Sequence, residues 1–387
     1  MVIIMPKEDG KRKQHWPTWI EINLYNIRHN VKEIKKRIGN DVCLMATVKA
    51  DAYGHGLIEV AKTSLQSGAE KLAVANVDEG ITLRKSGIIE PILIFVLSFE
   101  DAIEDIVKYN LMQTISESDL DFVKKLSEES VKQNKTVKIN IKVNTGMNRN
   151  GVNPRNTLML IKNINSYDNI IIEGIYTHLA TSFIEEEFTN SQFNLFINVL
   201  DELEKNNIEI PYKHCCNTGG VLNFPHMYLN QVRPGELITS PYPALREKNN
   251  LDIKECFEFK SKIIILRDVD KGQSVGYDQT YYAGKNITIA VVSAGWGDGM
   301  PRGLANKGFV LVRGIKCPII GSICCDQFFV DISDVSNVKV KDEVVIIGSQ
   351  NDMCISVREW GEILGDVSEP LALRCYITDR VTKKYIN

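Results

Sequence analysis

The feature that most constrains this chain is an alternation running from about residue 41 to residue 240. Short β-rich apolar runs are separated there by longer amphipathic stretches. The runs are Cys43–Val48, Leu72–Val77, Pro91–Val96, Leu111–Ile115, Val137–Val143, Ile170–Tyr176, Tyr212–Cys216 and Gln231–Ile238. Segments between them, such as Leu57–Gly68 and Phe188–Lys205, place apolar residues at i, i+3 and i+4, as helices do. Eight strand–helix units in one block predict a (β/α)8 TIM-type barrel rather than an open sheet. After about residue 256 the texture changes. Phe257–Leu266, Ile287–Val292, Phe309–Val312, Phe328–Ile332 and Glu343–Ile347 are β-rich, with Gly, Asp and Asn turns between them and little helical periodicity. The expected organisation is α/β plus β: an N-terminal arm at 1–15, a barrel at 16–255 and a mainly β domain at 256–387.

Composition narrows the function classes. A formal net charge of −3 gives no electrostatic case for a nucleic-acid partner or an anionic membrane. No run of apolar residues is long enough for a transmembrane helix. The N-terminus is apolar first and charged second, the reverse of a secretory signal, so a cytoplasmic location is expected. Nine scattered cysteines without a CxxC pair argue against a disulfide framework or a zinc site, and no metal is expected.

In a barrel of this kind the active site lies at the C-terminal ends of the strands. The first run ends at Lys49 and the fifth leads into Arg149. The sixth ends at Thr177 and His178, the seventh at Asn217, Thr218, Gly219 and Gly220, and the eighth runs through Arg233, Pro234, Gly235 and Glu236. A lysine closing an apolar strand can form a Schiff base, because partial burial frees its amine. Glycine-rich turns expose backbone N–H groups to a phosphate. The planar fork of Arg149 suits a carboxylate, and His178 suits orienting a neighbour. Alone, each has a plainer reading: a capping lysine, a surface ion pair, a structural histidine, ordinary turns. Their convergence on one mouth is what core packing does not explain.

At these residues the chain resembles the alanine racemase family. The resemblance rests on VKADAYGHG at 48–56, PTWIEINL at 17–24, KVNTGMNRNG at 142–151, YTHLA at 176–180, VGYD at 275–278, GWGDG at 295–299 and GSICCDQ at 321–327, in order over nearly the whole chain. It implies a barrel followed by a β domain that the first residues of the chain often join. It also implies a pyridoxal 5'-phosphate cofactor, a small amino-acid substrate and a head-to-tail homodimer with active sites shared between subunits. By the same resemblance Lys49 holds the cofactor and is one base, and Tyr277 of the other subunit is the opposing base. Arg233 faces the pyridine nitrogen, with His178 behind it. Tyr53, Thr218, Gly235 and the backbone of Glu236 hold the phosphate, with Asn217 in the same turn. Arg149 and the backbone at Cys325 hold the substrate carboxylate. Lys142 matches a position carbamylated in several relatives, and Asp326 matches a residue at the site entrance.

The chain also departs from the family pattern. Trp296 replaces a tyrosine at the entrance, Cys325 replaces a methionine, Glu236 stands where an apolar residue is usual, and the segment at 239–242 reads TSPY. Asp379 falls where a tyrosine normally contacts the phosphate. A carboxylate beside a phosphate is repulsive, so Asp379 is expected to turn toward the substrate. The substrate stays open between alanine and serine, threonine or a basic amino acid such as lysine or ornithine. A decarboxylase on a related barrel is a further alternative. Its GluProGlyArg-like turn runs in the opposite order to RPGE at 233–236.

Overall fold

The structure is a computed structural model that describes residues 15–117, 119–240, 251–365 and 376–387. The expected arm at 1–15, apart from its last residue, lies outside them, as do residues 241 and 242 of the TSPY segment. The chain divides into two compact units, Asn23–Phe257 with Tyr385–Asn387, and Met1–Ile22 with Glu258–Lys384. The described chain opens on strand β1 (Trp19–Asn23), which pairs within the second of these. The stretch Trp19–Ile22 therefore belongs to the β unit and not to a barrel beginning at residue 16. Its alternating burial is that of a sheet strand, with Ile20 and Ile22 fully buried.

The first unit holds eight parallel strands among its described residues: β2 (Cys43–Thr47), β3 (Lys71–Val74), β4 (Ile92–Ile94), β5 (Met112–Ile115), β6 (Val137–Lys142), β7 (Ile170–Tyr176), β8 (Tyr212–His214) and β9 (Gln231–Val232). Consecutive strands from β2 to β8 pair in parallel. The last returns beside the first, with Cys43 opposite Gln231 and Leu44 opposite Val232. The Arg233 N–H donates to the Cys216 carbonyl at 2.9 Å just beyond β8 and β9, which draws the ring together. Strands β3, β4 and β5 are buried at every position, as expected of parallel strands covered on both faces. Helices at Leu57–Gln66 and Glu186–Lys205 fall where the apolar spacing predicts them.

The eighth run is shorter than its apolar length suggests. Only Gln231 and Val232 are strand, and Leu237 and Ile238 belong to a short helix, Glu236–Thr239. Pro234 lacks the N–H that would continue the ladder. The same run therefore supplies a strand, a turn at the mouth and a helix start.

The β unit is built from β1, β10 (Phe257–Val269), β11 (Ser274–Val275), β12 (Tyr281–Tyr282), β13 (Ile287–Val292), β14 (Phe309–Val312), β15 (Ile315–Ile320), β16 (Phe328–Asp331), β17 (Glu343–Gln350), β18 (Met353–Ile355) and β19 (Thr382–Ile386). Antiparallel pairing runs β10–β13–β16–β15–β14–β17, and β17 also pairs β10, so these strands close into a ring. A helix at Val357–Leu364, capped by Ser356, interrupts the β pattern. Strands β11 and β12 form a separate hairpin. Val275 and Tyr281 pin that hairpin to a small core of Val269, Ile287, Ile289 and Ile320.

Candidate active site

The mouth of the barrel unit is a cavity of about 560 Å³. Lys49, Tyr53, Lys142, Arg149, His178, Asn217, Thr218, Arg233, Gly235 and Glu236 all line it. These ten residues singled out from the sequence are thus brought to one place, whereas Thr177, Gly219, Gly220 and Pro234 do not line the cavity.

Lys49 does not end the strand. β2 stops at Thr47, and Lys49 opens a turn, Lys49–Tyr53, in which Ala50, Asp51, Ala52 and Tyr53 all have φ between 52° and 55°. Non-glycine residues avoid this left-handed region at a cost of roughly 1–2 kcal/mol each. The surrounding bonds hold the turn. The Asp51 carboxylate accepts the Leu57 N–H at 2.7 Å, and the Asp51 carbonyl accepts the Gly56 N–H at 2.8 Å. The Glu79 carboxylate takes the N–H groups of Asp51 and Ala75, at 3.3 and 2.7 Å. The His55 ring donates from Nδ1 to the carbonyls of Ala52 and Tyr53, each at 3.0 Å. The turn sends both Lys49 and Tyr53 into the cavity. Strain held at one place by so many partners is characteristic of a working site.

Opposite this turn, Gly235 lies so close to the Tyr53 hydroxyl that a Cβ would come within 2.3 Å of it. The Gly235 N–H donates to the Thr218 hydroxyl at 3.2 Å. Asn217 caps the helix Thr218–Asn223 by accepting the Gly220 N–H at 3.0 Å. The result is a small cradle that brings the Tyr53 and Thr218 hydroxyls against the backbone at Gly235.

Charge in the mouth is largely positive. Burial and then the neighbouring Arg149 and Arg233 push the Lys49 amine below its usual range. The same causes, with Lys49 added, bring Lys142 down to about 7. Lys142 is buried, and its ammonium donates to the Asn150 side-chain carbonyl. Arg233 is buried and donates to the carbonyls of Thr177 and Cys215, at 2.6 and 3.1 Å. Another nitrogen of its fork reaches His178 Nδ1 at 3.4 Å. An arginine only donates, so that histidine nitrogen must accept and the proton sits on Nε2. Burial and Arg233 keep His178 neutral by pushing it well below its ordinary value. The Arg233 Nε is buried without a partner among the described residues. Tyr176 and Phe95 flank the guanidinium, with ring centres 5.0 and 5.7 Å away, and neither was singled out in the sequence beyond the YTHLA match.

This set fits pyridoxal phosphate. It offers an amine of lowered basicity, a cradle for a dianion, an arginine with an orphaned buried N–H, and a second arginine for a carboxylate.

A prediction follows from Lys142. An unfolded lysine titrates near ~10.4, and the folded one at about 7. Between those values the unfolded chain binds the extra proton, so stability rises with pH across that window. It is lost as pH falls toward about 7, and below that the penalty is constant. The Tm of the wild type relative to Lys142→Met is therefore expected to fall on going from alkaline to neutral pH and then to level off. Thermal unfolding of both proteins across pH checks this, and parallel curves would contradict it.

The remaining candidates lie on the β unit. Tyr277 is at the tip of the β11–β12 hairpin, and its side chain is exposed. Gly276 before it has φ +81°, a conformation that favours glycine, and a Cβ there would meet the Ser322 N–H at 3.0 Å. Ser322 in turn donates from its hydroxyl to the Tyr277 carbonyl at 2.9 Å. Trp296 is half-exposed on the turn 295–299. The N–H groups of Trp296 and Gly297 donate to the carbonyls of Cys324 and Cys325, at 3.1 and 2.9 Å. Asp326 pairs with Arg380 at 2.7 Å, beside Asp379. Loops carrying Tyr277, Trp296, Cys325, Asp326 and Asp379 are thus stitched together within one unit. Arg380, Asp298 and Trp16, which make much of that stitching, were not singled out from the sequence.

Fold and mouth together define a barrel enzyme with a cationic, lysine-bearing mouth. The model of the alanine racemase N-terminal domain matches residues 22–243, and that of the C-terminal domain matches residues 256–385. An alanine racemase of Halothermothrix orenii is 38% identical over 96% of this chain and 97% of its own length. The solved alanine racemase of Clostridium difficile 630 is 32% identical, with a TM-score of 0.90 over 96% of both chains. The structure of an alanine racemase from Bartonella henselae with covalently bound pyridoxal phosphate is 25% identical, with a TM-score of 0.83 over 96% of this chain and 99% of that one. This chain belongs to the alanine racemase family and is an isomerase of the racemase class. No helix among the described residues is long and apolar enough to cross a membrane.

Proposed function

We propose that this protein interconverts L- and D-alanine with pyridoxal 5'-phosphate, using Lys49 and the Tyr277 of a second copy as bases on opposite faces of the substrate. The observation that carries the reading is the Lys49 amine, of lowered basicity, on a strained turn in a cationic mouth beside the cradle of Tyr53, Thr218 and Gly235. Support for the cofactor comes from the Bartonella henselae relative, which holds pyridoxal phosphate covalently.

When bound, the cofactor supplies the electron sink for the electrons left at the α-carbon. The protein supplies the rest. Tyr53, Thr218 and the backbone at Gly235 and Glu236, with Asn217 capping the turn, would hold the phosphate. Arg233 would face the ring nitrogen and would disfavour its protonation, since like charges repel. His178, neutral and accepting at Nδ1, backs Arg233. Arg149 binds the substrate carboxylate through its fork, with the backbone at Cys325 as a second contact. A carbamate on Lys142 would place a negative charge beside Arg149. One base would take a proton from one face of the α-carbon while the other returned a proton to the opposite face, so the substrate would not need to rotate.

A side-chain hydroxyl or ammonium on the substrate would find Asp379. Support for serine or a basic amino acid as a second reading comes from the bonds of its neighbours, Thr378 to Gly297 and Arg380 to Asp326, which join this stretch to the loops of Trp296 and Asp326.

The test is chiral chromatography of L-alanine, L-serine, L-lysine and L-ornithine after incubation with the cofactor-loaded protein. Alanine inversion without carbon dioxide release is expected. Preferred turnover of another amino acid would move the substrate to the second reading, and carbon dioxide release would replace racemisation by decarboxylation.

A further inference from the structure

Arg380 occupies a position that the reading above does not use. Its Nε donates to Asp298 at 3.0 Å and a terminal nitrogen donates to Asp326 at 2.7 Å. The two carboxylates stand on different loops, 295–299 and 321–327. Asp298 is fully buried and is the anchor. It also accepts the Trp16 indole N–H at 2.9 Å and the Gly295 N–H at 2.8 Å. The Arg380 guanidinium lies over the Trp16 ring, 4.7 Å from its centre. Two residues back, the Thr378 hydroxyl donates to the Gly297 carbonyl at 2.8 Å. One side chain therefore joins three segments, which carry Trp296, Cys325 with Asp326, and Asp379.

We propose that Arg380 is a positioning residue that sets the shape of the substrate-facing loops, and through them KM and the choice of amino acid. This rests on the reading that those loops face the amino acid. Arginine suits the task because its rigid planar fork serves two carboxylates at fixed angles. A lysine is a point charge that satisfies one carboxylate well at a time. A merely structural role would lower stability and move kcat and KM together. A positioning role moves KM and selectivity more than kcat and leaves cofactor binding nearly unchanged, because Lys49 and the cofactor-holding residues lie in the barrel and the hairpin of Tyr277 has its own footing in the Val275 and Tyr281 core.

The experiment compares the cofactor-loaded wild type with Arg380→Gln, Arg380→Lys and Thr378→Val. It reads KM and kcat for L-alanine and L-serine, cofactor absorbance, and backbone hydrogen exchange over 295–299 and 321–327. Arg380→Gln is expected to raise KM for alanine about tenfold, since small displacements of binding groups have effects of this size. Its kcat should stay within about threefold, its alanine-to-serine preference should shift, and exchange should quicken in both loops. Arg380→Lys should recover part of the KM. An Arg380→Gln protein with wild-type KM and unchanged exchange would overturn the proposal. So would equal losses in kcat and KM that lysine does not relieve. If Arg380→Gln does not fold, Arg380→Lys and Thr378→Val decide by the same readings. Absence of any racemisation by the wild type would sink the functional reading instead, and the exchange measurement would still judge whether Arg380 holds the two loops.

Discussion

The Lys49→Ala protein is expected to lose racemisation by at least about four orders of magnitude, the scale of removing a positioned proton-transfer group together with a covalent anchor. It should also lose the visible absorbance of a lysine-linked cofactor. The effect is expected to be chemical rather than structural. The left-handed residues are Ala50 to Tyr53, so the substitution leaves their strained turn and its bonds to Glu79, His55 and Leu57 in place. It also removes an amine whose charged form is disfavoured by burial and by two arginines, so no loss of stability is expected. Free cofactor should still be retained weakly in the cradle of Tyr53, Thr218 and Gly235. A variant that kept about a tenth or more of the activity, far above what loss of such a group allows, would mean that another residue does this work.

Tyr277→Phe is the second large effect. The change deletes one hydroxyl at the tip of the β11–β12 hairpin, whose footing is the Val275 and Tyr281 core and not the hydroxyl itself. Racemisation should fall about 10²- to 10⁴-fold, the usual range for a general base. Cofactor absorbance should be unchanged. Lys49 still serves one face, so exchange of the α-hydrogen with deuterated water should persist for one enantiomer and vanish for the other. Equal loss for both enantiomers would argue against bases on opposite faces. Mixing the two inert variants tests whether the tyrosine comes from a second copy. Hybrid dimers would carry one intact site of two, so about a quarter of wild-type activity should return at full mixing. No recovery would place Tyr277 and Lys49 in sites that are not shared.

Much of the barrel was legible because parallel strands covered on both faces read as continuous apolar runs, and most of those runs are strands. The run Gln231–Ile238 shows the limit. Apolar residues of a buried helix start look the same as those of a buried strand, and only Pro234 and Gly235 marked the change. The left-handed turn at Ala50–Tyr53 was not legible, since alanine and tyrosine avoid that conformation unless their surroundings impose it. Those surroundings include Glu79, more than twenty residues on. Lys49, Arg149, His178, Asn217, Thr218, Arg233, Gly235 and Glu236 were found because strand ends in a barrel converge by geometry, whereas Tyr53 and Lys142 came from the family resemblance alone. The joining of loops through Arg380 was missed for the opposite reason. Trp16, Asp298, Asp326 and Arg380 come together from distant parts of the chain, and no periodicity relates them. The only local signal was an arginine beside Asp379 and an aspartate within GWGDG.

Reducing the cofactor-loaded wild type with borohydride and locating the added mass by peptide mapping tests whether Lys49 holds the cofactor. A single pyridoxal adduct is expected on the Lys49 side chain, absent from Lys49→Ala. An adduct on Lys142 or any other lysine, or none on a protein that racemises alanine, would contradict this assignment.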